Sequence, residues 1–475
     1  MNTTETRSAN TNISQAATSN AALSAPSSIE QEFVTAIVTK AMRAGASDAE
    51  AVYADGDEFE VEVRMGEVET LKESGSRALG LRVFIGQRTA STSTSDLSAE
   101  GIERLVSGAV ALAAVTSEDP FVGLPDKEDF GAIPGDLELF HEDVYSLPAQ
   151  ERIEYARRAE AAALAYDARI TNSKGGSFNA ATGRKILANS RGFIGEYRTS
   201  YCSIAAQPIA QAPDGAMQRD YWYTDARSLR LLGSPEVVGQ EAARRALRRL
   251  GARKVKTQRV PLVFAPEIAP SILSEALHAV NGDAVYRNAS FLAGKLGENV
   301  AGSNITIVDD GTMPGRFGTK PFDGEGLPTR RTMVLERGVL QHYLLNTYTA
   351  RKLNLRSTGN AARGLAGTPG IGAGNFYLEP GTETQQQILA AIPSGLYVTE
   401  LLGHGGNIVT GDYSCGASGL WIENGELAYP VEEITIAGNM KEMLRNIAAI
   451  GSDLIFYGSV ACPTIRIEGM TIAGE

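Results

Sequence analysis

Tight turns built on glycine recur through the second half of this chain, between short apolar segments. The 475 residues include 50 glycines, and three turn pairs are Asp310-Gly311, Arg337-Gly338 and Asn424-Gly425. The Asn-Gly pair predicts a two-residue hairpin, because both turn positions require positive φ. Short strands joined by such turns leave little room for long helices. Residues 258–475 are therefore predicted to form a mostly β domain with a few helices.

Helical and strand patterns alternate in the first part of the chain. Apolar residues recur at helical spacing after the capping-box pattern at residues 28–31, and again after Ser98. Between these helices, residues 59–71 predict one hairpin and residues 79–95 predict a second. The patterns predict an N-terminal α+β domain over residues 29–118, with an antiparallel sheet and flanking helices.

Residues 119–257 are predicted to form a central α+β region, so the fold class of the whole chain is α+β. Residues 120–134 are rich in Pro, Gly and Asp, which is typical of a linker. Helices are predicted over residues 149–166 and from an N-cap at Ser234, with strands between them. Residues 1–28 contain neither the basic start nor the apolar segment of a secretory signal. We expect them to be a disordered tail.

Charge, hydropathy and cysteine content exclude several classes of function. The net charge is −12 and the pI is ≈ 5.1, whereas a nucleic-acid-binding protein normally carries a basic domain. The longest purely apolar segment, residues 109–115, is far shorter than the ~20 residues that cross a bilayer. Cys202, Cys415 and Cys462 are too few and too widely spaced for a disulfide framework. We expect a cytoplasmic protein with no nucleic-acid or membrane partner.

Five short segments of the C-terminal half form a specific combination. They are FLAGKLGE at residues 291–298, TKPFDGEG at 319–326, STGN at 357–360, GDYS at 411–414 and WIENGE at 421–426. Each segment alone is a turn-and-strand signature, but together and in this order they are distinctive. In these segments the chain resembles the TldD/PmbA (TldD/TldE) metallopeptidase family.

The resemblance has a gap at residues 271–283, which read SILSEALHAVNGD. TldD-type members of the family carry His-Glu-x-x-x-His in this helix, and its two histidines bind the catalytic metal. Ser274 and Ala279 replace these ligands here, and only Glu275 is retained, as a vestigial catalytic position. Alanine offers no lone pair, and a neutral serine hydroxyl is a poor zinc ligand. The chain thus resembles the PmbA/TldE branch, for which no metal or other cofactor is expected.

The spacing of the two ligand positions also predicts where this helix ends. Side chains five residues apart diverge by ~140° on an ideal helix. Two such side chains can face one metal ion only if the helix ends or distorts at this point. Asn281-Gly282 is such a helix stop, so we expect the backbone to keep the family's shape without its chemistry.

The glycine-rich loop at residues 402–407 is a candidate for substrate binding. It reads LGHGGN, and its candidate residues are His404, Gly405, Gly406 and Asn407. Glycines allow a backbone to approach a ligand closely, so the loop is predicted to line a peptide cleft. The alternative interpretation is a tight turn without a ligand.

Other features have a chemical and a structural interpretation. Glu275 and His278 share a helix face at i, i+3, as a metal-binding pair or as an exposed surface. Cys415 is either a nucleophile or an inert thiol. The glycine-rich segment 364–375 leads into a strand, which excludes a phosphate loop and predicts a loop near the cleft. Basic residues between positions 244 and 256 indicate either an acidic contact or a solvated face.

The resemblance implies a cytosolic peptidase complex that acts on small or unfolded peptides and on peptide-antibiotic or antitoxin precursors. In this hypothesis a TldD-type subunit supplies zinc and the general base. The present chain, as heterodimer partner or as a homodimer, contributes part of a chamber and of the substrate groove. The alternative hypothesis is a non-enzymatic homodimeric peptide-binding or scaffold protein, which is equally compatible with the loss of metal ligands.

Overall fold

The structure, a computed structural model, describes residues 28–403 and 405–475. The predicted tail therefore lies outside the described residues except for Ser28, and so does His404. Helices and mostly antiparallel sheets are both present, which confirms the α+β class. None of the helices in the described part of the chain is long and apolar enough to span a bilayer.

A seven-stranded sheet occupies the N-terminal half. Its first elements are α1 (Ile29–Arg43), β1 (Asp48–Arg64), β2 (Glu67–Ile85), β3 (Arg88–Thr94) and α2 (Ala99–Val115). The sequence predicts a break in β2 after residue 71, but the following residues remain paired with β1 as far as Phe84. The two predicted hairpins therefore merge into the long strands β1 and β2 and the shorter β3.

The central elements extend the same sheet. They are α3 (Glu142–Ser146), α4 (Ala149–Leu164), β4 (Ile170–Asn189), β5 (Ile194–Gln211), β6 (Met217–Arg219), β7 (Trp222–Ala226) and α5 (Pro235–Leu247), with 3₁₀ turns at Lys127–Asp129 and Leu229–Leu231. The strand order is β3-β2-β1-β4-β5-β6, and β7 pairs with β5. Because β4 pairs with β1, residues 29–118 and 119–257 share one sheet.

Both helical layers cover the same face of this sheet. Ala49 and Tyr53 of β1 belong to the core that α1 and α2 complete, whereas Phe59 of the same strand belongs to the core of α4 and α5. Side chains two residues apart in a strand share a face, so the two helical layers lie side by side. Asp55 and Asp57 lie between the layers and line an open cleft.

Smaller sheets and short helices form the C-terminal half. The helices are α6 (Ala269–Val280), α7 (Gly282–Tyr286), α8 (Thr347–Leu353), α9 (Gln385–Ala390) and α10 (Met440–Arg445). The strands are β8 (Gln258–Phe264), β9 (Ile307–Asp310), β10 (Arg331–Glu336), β11 (Val339–Leu340), β12 (Ala361–Ala362), β13 (Gly370–Ile371), β14 (Asn375–Leu378), β15 (Ser394–Leu402), β16 (Asp412–Glu423), β17 (Glu426–Asn439), β18 (Ile447–Ile450), β19 (Val460–Ala461) and β20 (Ile465–Ala473).

These strands form a six-stranded sheet in the order β17-β16-β15-β8-β20-β18, a five-stranded sheet in the order β11-β10-β9-β14-β19, and the pair β12-β13. Helix α6 packs into the large core between the first two sheets. The predicted Asn-Gly hairpin joins β16 to β17, and Asn424 and Gly425 have φ of 52° and 85°. Both values are positive, as a type I′ turn requires.

The basic residues at the end of α5 contact acids of the C-terminal half. Arg245 forms an ion pair with Glu267 at 2.6 Å, and Arg249 forms one with Glu400 at 2.7 Å. The acidic contact predicted as one alternative for the basic residues between positions 244 and 256 is therefore made within the chain. It docks the central helix onto the C-terminal half.

A buried ion cluster joins the seven-stranded sheet to the C-terminal half. Glu50 of β1 is fully buried and accepts a hydrogen bond from Nε of Arg82 at 2.5 Å. The same carboxylate oxygen accepts a second hydrogen bond from Arg363, whose side chain is also fully buried. Glu325 lies 3.9 Å from Arg82, and burial raises the pKa of its carboxyl. One carboxylate oxygen thus accepts hydrogen bonds from two guanidinium groups in the interior.

Replacing Glu50 by alanine should lower the free energy of unfolding by about 3–5 kcal/mol, because two guanidinium groups lose their shared counter-charge while buried. Equilibrium urea denaturation measures this loss. The matched control is Glu60→Ala on the same strand, which removes a half-exposed carboxylate paired with Lys72. The control should lose less than ~1 kcal/mol, and equal losses for both variants would contradict the role of Glu50.

Candidate functional site

Helix α6 is held in place by packing. Apolar side chains such as Ile272 and Ala276 face the core. The helix ends at Val280, because Asn281 adopts an extended conformation and its side chain accepts a hydrogen bond from the backbone N–H of Asp283 at 2.9 Å. The structure agrees with the helix stop predicted at residues 281–282.

The positions of the family's histidine ligands offer no comparable donors in this chain. The hydroxyl of Ser274 donates to the carbonyl oxygen of Pro270 at 2.8 Å, and Ala279 is a fully buried alkyl side chain. Glu275 is the only carboxylate among the three positions. These residues do not fit the catalytic zinc of a TldD-type subunit. Across residues 28–403 and 405–475, no group of three or more His, Cys, Asp or Glu side chains is placed to hold a metal ion.

The glycine-rich loop and Glu275 are in contact. The loop joins β15 to β16, and the backbone N–H of Ser414 donates to the carbonyl oxygen of Gly405 at 2.8 Å. A Cβ added to Gly406 would lie 2.1 Å from a carboxylate oxygen of Glu275, and one added to Gly405 would lie 2.5 Å from the ring of Tyr413. A side chain at Gly405 would meet the ring of the buried Tyr413, whereas one at Gly406 would displace the flexible end of the Glu275 side chain. The fold thus brings two candidate residues together with Glu275.

Asn407 shapes the loop from within. Its side-chain oxygen accepts hydrogen bonds from the backbone N–H groups of Val409 and Thr410, at 2.9 and 3.3 Å. Its own N–H donates to the carbonyl oxygen of Asp412 at 2.8 Å. The amide oxygen of Asn407 is thus committed to the turn, and substrate binding by this residue and by His404 remains a prediction.

Two other candidates differ in exposure. Cys415 is buried, and its thiol donates to the carbonyl oxygen of Leu402 at 3.2 Å, which is typical of a structural cysteine. His278 is exposed on the surface of α6, which favours the interpretation of that helix face as a solvated surface.

Tyr413 is a residue of this site that the sequence analysis does not single out. It lies between the loop and β16, and it is 4% exposed. Burial, followed by the neighbouring Cys415 and Glu275, raises the pKa of its phenol. The only sequence signal for it is its place in the GDYS segment, which marks a family resemblance and not a contact.

A cavity of about 430 Å³ lies beside α7, the helix that follows α6. Its lining includes Arg82, Asp283, Tyr286, Arg287, Tyr348 and Ile371. The rings of Tyr286 and Tyr348 meet edge to face with centroids 6.0 Å apart. Part of the predicted loop 364–375 forms one wall, at Thr368–Ile371. The cavity has the size and the mixed aromatic and charged lining of a small-ligand or peptide subsite.

Three family models match consecutive parts of the chain. The PmbA/TldA metallopeptidase domain 1 matches residues 49–113, the central domain matches residues 142–250, and the C-terminal domain matches residues 257–474. The chain belongs to the PmbA/TldD metallopeptidase family.

Its similarity to individual proteins confirms the resemblance to the PmbA/TldE branch. Metalloprotease PmbA of Escherichia coli O157:H7 is 40% identical over 435 residues, which cover 91% of this chain and 94% of that protein. A crystal structure from Bacteroides thetaiotaomicron, described as a putative modulator of DNA gyrase, has a TM-score of 0.87 at 27% identity and covers 94% of this chain and 99% of its own. TldE from Thermococcus kodakarensis shares the fold, with a TM-score of 0.83 at 21% identity over 93% of this chain and 99% of its own.

Gly406→Ala should lower the free energy of unfolding by up to about 1 kcal/mol, because the added Cβ displaces the flexible end of the Glu275 side chain. Adding Glu275→Ala removes the overlap and should recover most of the loss, as a double-mutant cycle in urea denaturation would show. Gly458→Ala is the control, since a Cβ at Gly458 has nothing within 4 Å. Additive effects of the two site variants would disprove the contact.

Proposed function

We propose that this chain is the TldE/PmbA-type subunit of a cytosolic TldD/TldE-type metallopeptidase complex. A TldD-type partner supplies the zinc and the general base, and the isolated chain does not cleave peptides. The proposal rests on Ser274 and Ala279, which stand at the positions of the family's two histidine ligands. The helix that carries them is packed against the core and ends at Val280, as expected for the metal-binding helix of this family. A bound metal makes a nucleophile by lowering the pKa of water to about 7, and this helix lacks the donors that would hold one.

The contribution of this chain is to bind and position peptide. We assign this role to the glycine-rich loop at residues 402–407 and to the cavity beside α7, with small or unfolded peptides and peptide precursors as substrates. A volume of about 430 Å³ accommodates one or two side chains of an extended peptide, and ligand pockets commonly have volumes of ~300–1,000 Å³. The tyrosine rings provide an apolar wall, while Arg287 and Asp283 offer polar groups to the peptide backbone.

The chain purified alone should contain less than ~0.1 zinc per molecule, because the donor set does not support a structural or catalytic site. Mixed with the TldD-type subunit of the same organism, it should form a stable complex that contains zinc and cleaves unfolded peptides. Elemental analysis, light scattering and a fluorogenic peptide assay measure the three properties. Stoichiometric zinc in the chain alone would contradict the proposal. A homodimer that ignores the TldD-type subunit would favour the scaffold hypothesis instead.

Glu275→Gln should change peptide cleavage by the complex less than about twofold, because Glu275 packs against Gly406 and faces no activated water. The same change at the corresponding glutamate of the TldD-type subunit should reduce the rate by ~10²–10⁴, the usual effect of losing a general base. The two variant complexes are assayed side by side, with complex formation checked by gel filtration. A large loss from Glu275→Gln in an intact complex would show that this chain takes part in catalysis.

A further inference from the structure

A cleft of about 750 Å³ opens on the helix-bearing face of the seven-stranded sheet, between the two helical layers. Tyr53, Phe140 and Tyr145 contribute aromatic surface to it. A second depression of about 380 Å³ shares Asp57 and Gly75 with the first. The two form a groove across β5, β4, β1 and β2 that the proposed function does not use.

Four charged side chains form a row across the floor of this groove. Arg77 of β2 is paired with Asp55 of β1, Asp55 with Arg184 of β4, and Arg184 with Arg198 of β5. All four line the cleft, so they share one face of the sheet. Arg184 and Arg198 are like charges directly opposite each other, an arrangement that destabilises a sheet.

The acids of the chain neutralise only the middle of the row. Arg184 forms ion pairs with Asp55 at 2.6 Å and with Glu30 of α1 at 3.1 Å. In the described part of the chain, neither Arg77 nor Arg198 has a carboxylate within ion-pair distance. Both arginines are exposed and line the cleft. The groove therefore presents two exposed guanidinium groups without a direct ion pair to another described residue, and the charge of Arg198 contributes to lowering the pKa of the Asp55 carboxyl.

The surroundings orient one of these groups and set the polarity of the groove. The guanidinium carbon of Arg198 lies 3.7 Å from the ring centroid of Phe140, and such stacking holds the planar fork in a fixed orientation. Two further acids, Glu196 and Asp57, face the cleft, and Glu58 and Glu73 line the adjoining depression. Glu196 accepts a hydrogen bond from Gln31 at 2.9 Å, whereas Asp57 borders Gly75. The groove therefore carries positive and negative groups side by side, with Arg77 and Arg198 at the two ends of the row.

We propose that this groove is an oxyanion-binding site, and that its ligand is the free C-terminal carboxylate of a short peptide. A planar guanidinium binds a carboxylate through two parallel hydrogen bonds. Arg77 and Arg198 lie three strand spacings apart, ~14 Å between backbones, so one of them holds the carboxylate, and Arg198, which stacks on Phe140, is assigned to it. The aromatic walls take the side chains of the terminal residues, and Asp57 faces the peptide's N–H groups. The choice of a peptide as ligand rests on the proposed function, which makes peptides the molecules that this chain handles.

Isothermal titration calorimetry of the isolated full chain tests the site. The probe is the tetrapeptide Ala-Phe-Ala-Leu with a free C-terminus, compared with the same peptide as its C-terminal amide. The acid should bind at least ~10-fold more tightly than the amide, and the double variant Arg77→Gln/Arg198→Gln should abolish the difference. Arg198→Lys keeps the positive charge but lacks the planar guanidinium, so it should lose part of the preference for the acid peptide over the amide. Arg104→Gln, which removes an exposed ion-paired arginine of α2, should bind like the unmodified chain.

Inorganic phosphate, titrated alone, distinguishes the two sources of an oxyanion. Phosphate binding that depends on Arg77 and Arg198, with equal binding of acid and amide peptides, would overturn the assignment to a peptide carboxylate. Acid-peptide binding that is absent, or unchanged in the double variant while thermal unfolding shows an intact fold, would overturn the site. The assay needs neither the TldD-type subunit nor cleavage, so its failure would leave the proposed function standing.

Discussion

The buried carboxylate of Glu50 is the constraint on which the arrangement of the two halves depends. A charge leaves water only when charged or hydrogen-bonding partners replace its hydration. Arg82 comes from the neighbouring strand, but Arg363 lies 313 residues after Glu50 in the chain. Lys185 of β4 adds a hydrogen bond to the carbonyl oxygen of Arg363 at 3.2 Å, and burial lowers the pKa of this lysine to about 8. Glu50 is therefore bonded to both halves, through Arg82 and through Arg363, while Oε2 of Glu50 and Nη2 of each arginine have no hydrogen bond in the described part of the chain.

Helix α6 is held in place by features that do not require histidine at positions 274 and 279. Its position depends on the apolar residues that face the core, and its end depends on the extended conformation of Asn281. Neither feature involves the side chains at positions 274 and 279. The retained Glu275 now packs against Gly406, which gives the carboxylate a structural contact. Overall sequence identity to a named metalloprotease therefore does not by itself establish which residues stand at the metal-ligand positions.

Local features of the structure were predictable from the sequence, and long-range ones were not. Ser98 and Ser234 cap their helices as predicted, because capping involves residues three positions apart. The capping box at residues 28–31 is only half formed, since the side chain of Gln31 donates to Glu196, 165 residues away. The missing ligands of α6 could be inferred from residue types alone. The contact between α6 and the glycine-rich loop could not be inferred from the sequence, because only the tertiary fold brings these two segments together.

The separation of Glu50 from Arg363 also affects the order of events during synthesis. A ribosome adding ~5–20 residues per second needs roughly 15–60 s to proceed from one to the other. The pairing partner of β1 in β4 emerges much earlier, so the seven-stranded sheet can assemble while the carboxylate of Glu50 is still hydrated. We expect the nascent N-terminal half to expose a polar, hydrated surface around Glu50, which becomes buried against the C-terminal half in the complete fold. Glu50 is then buried only when the C-terminal half folds against this surface, and in a prematurely terminated chain the surface stays exposed to water.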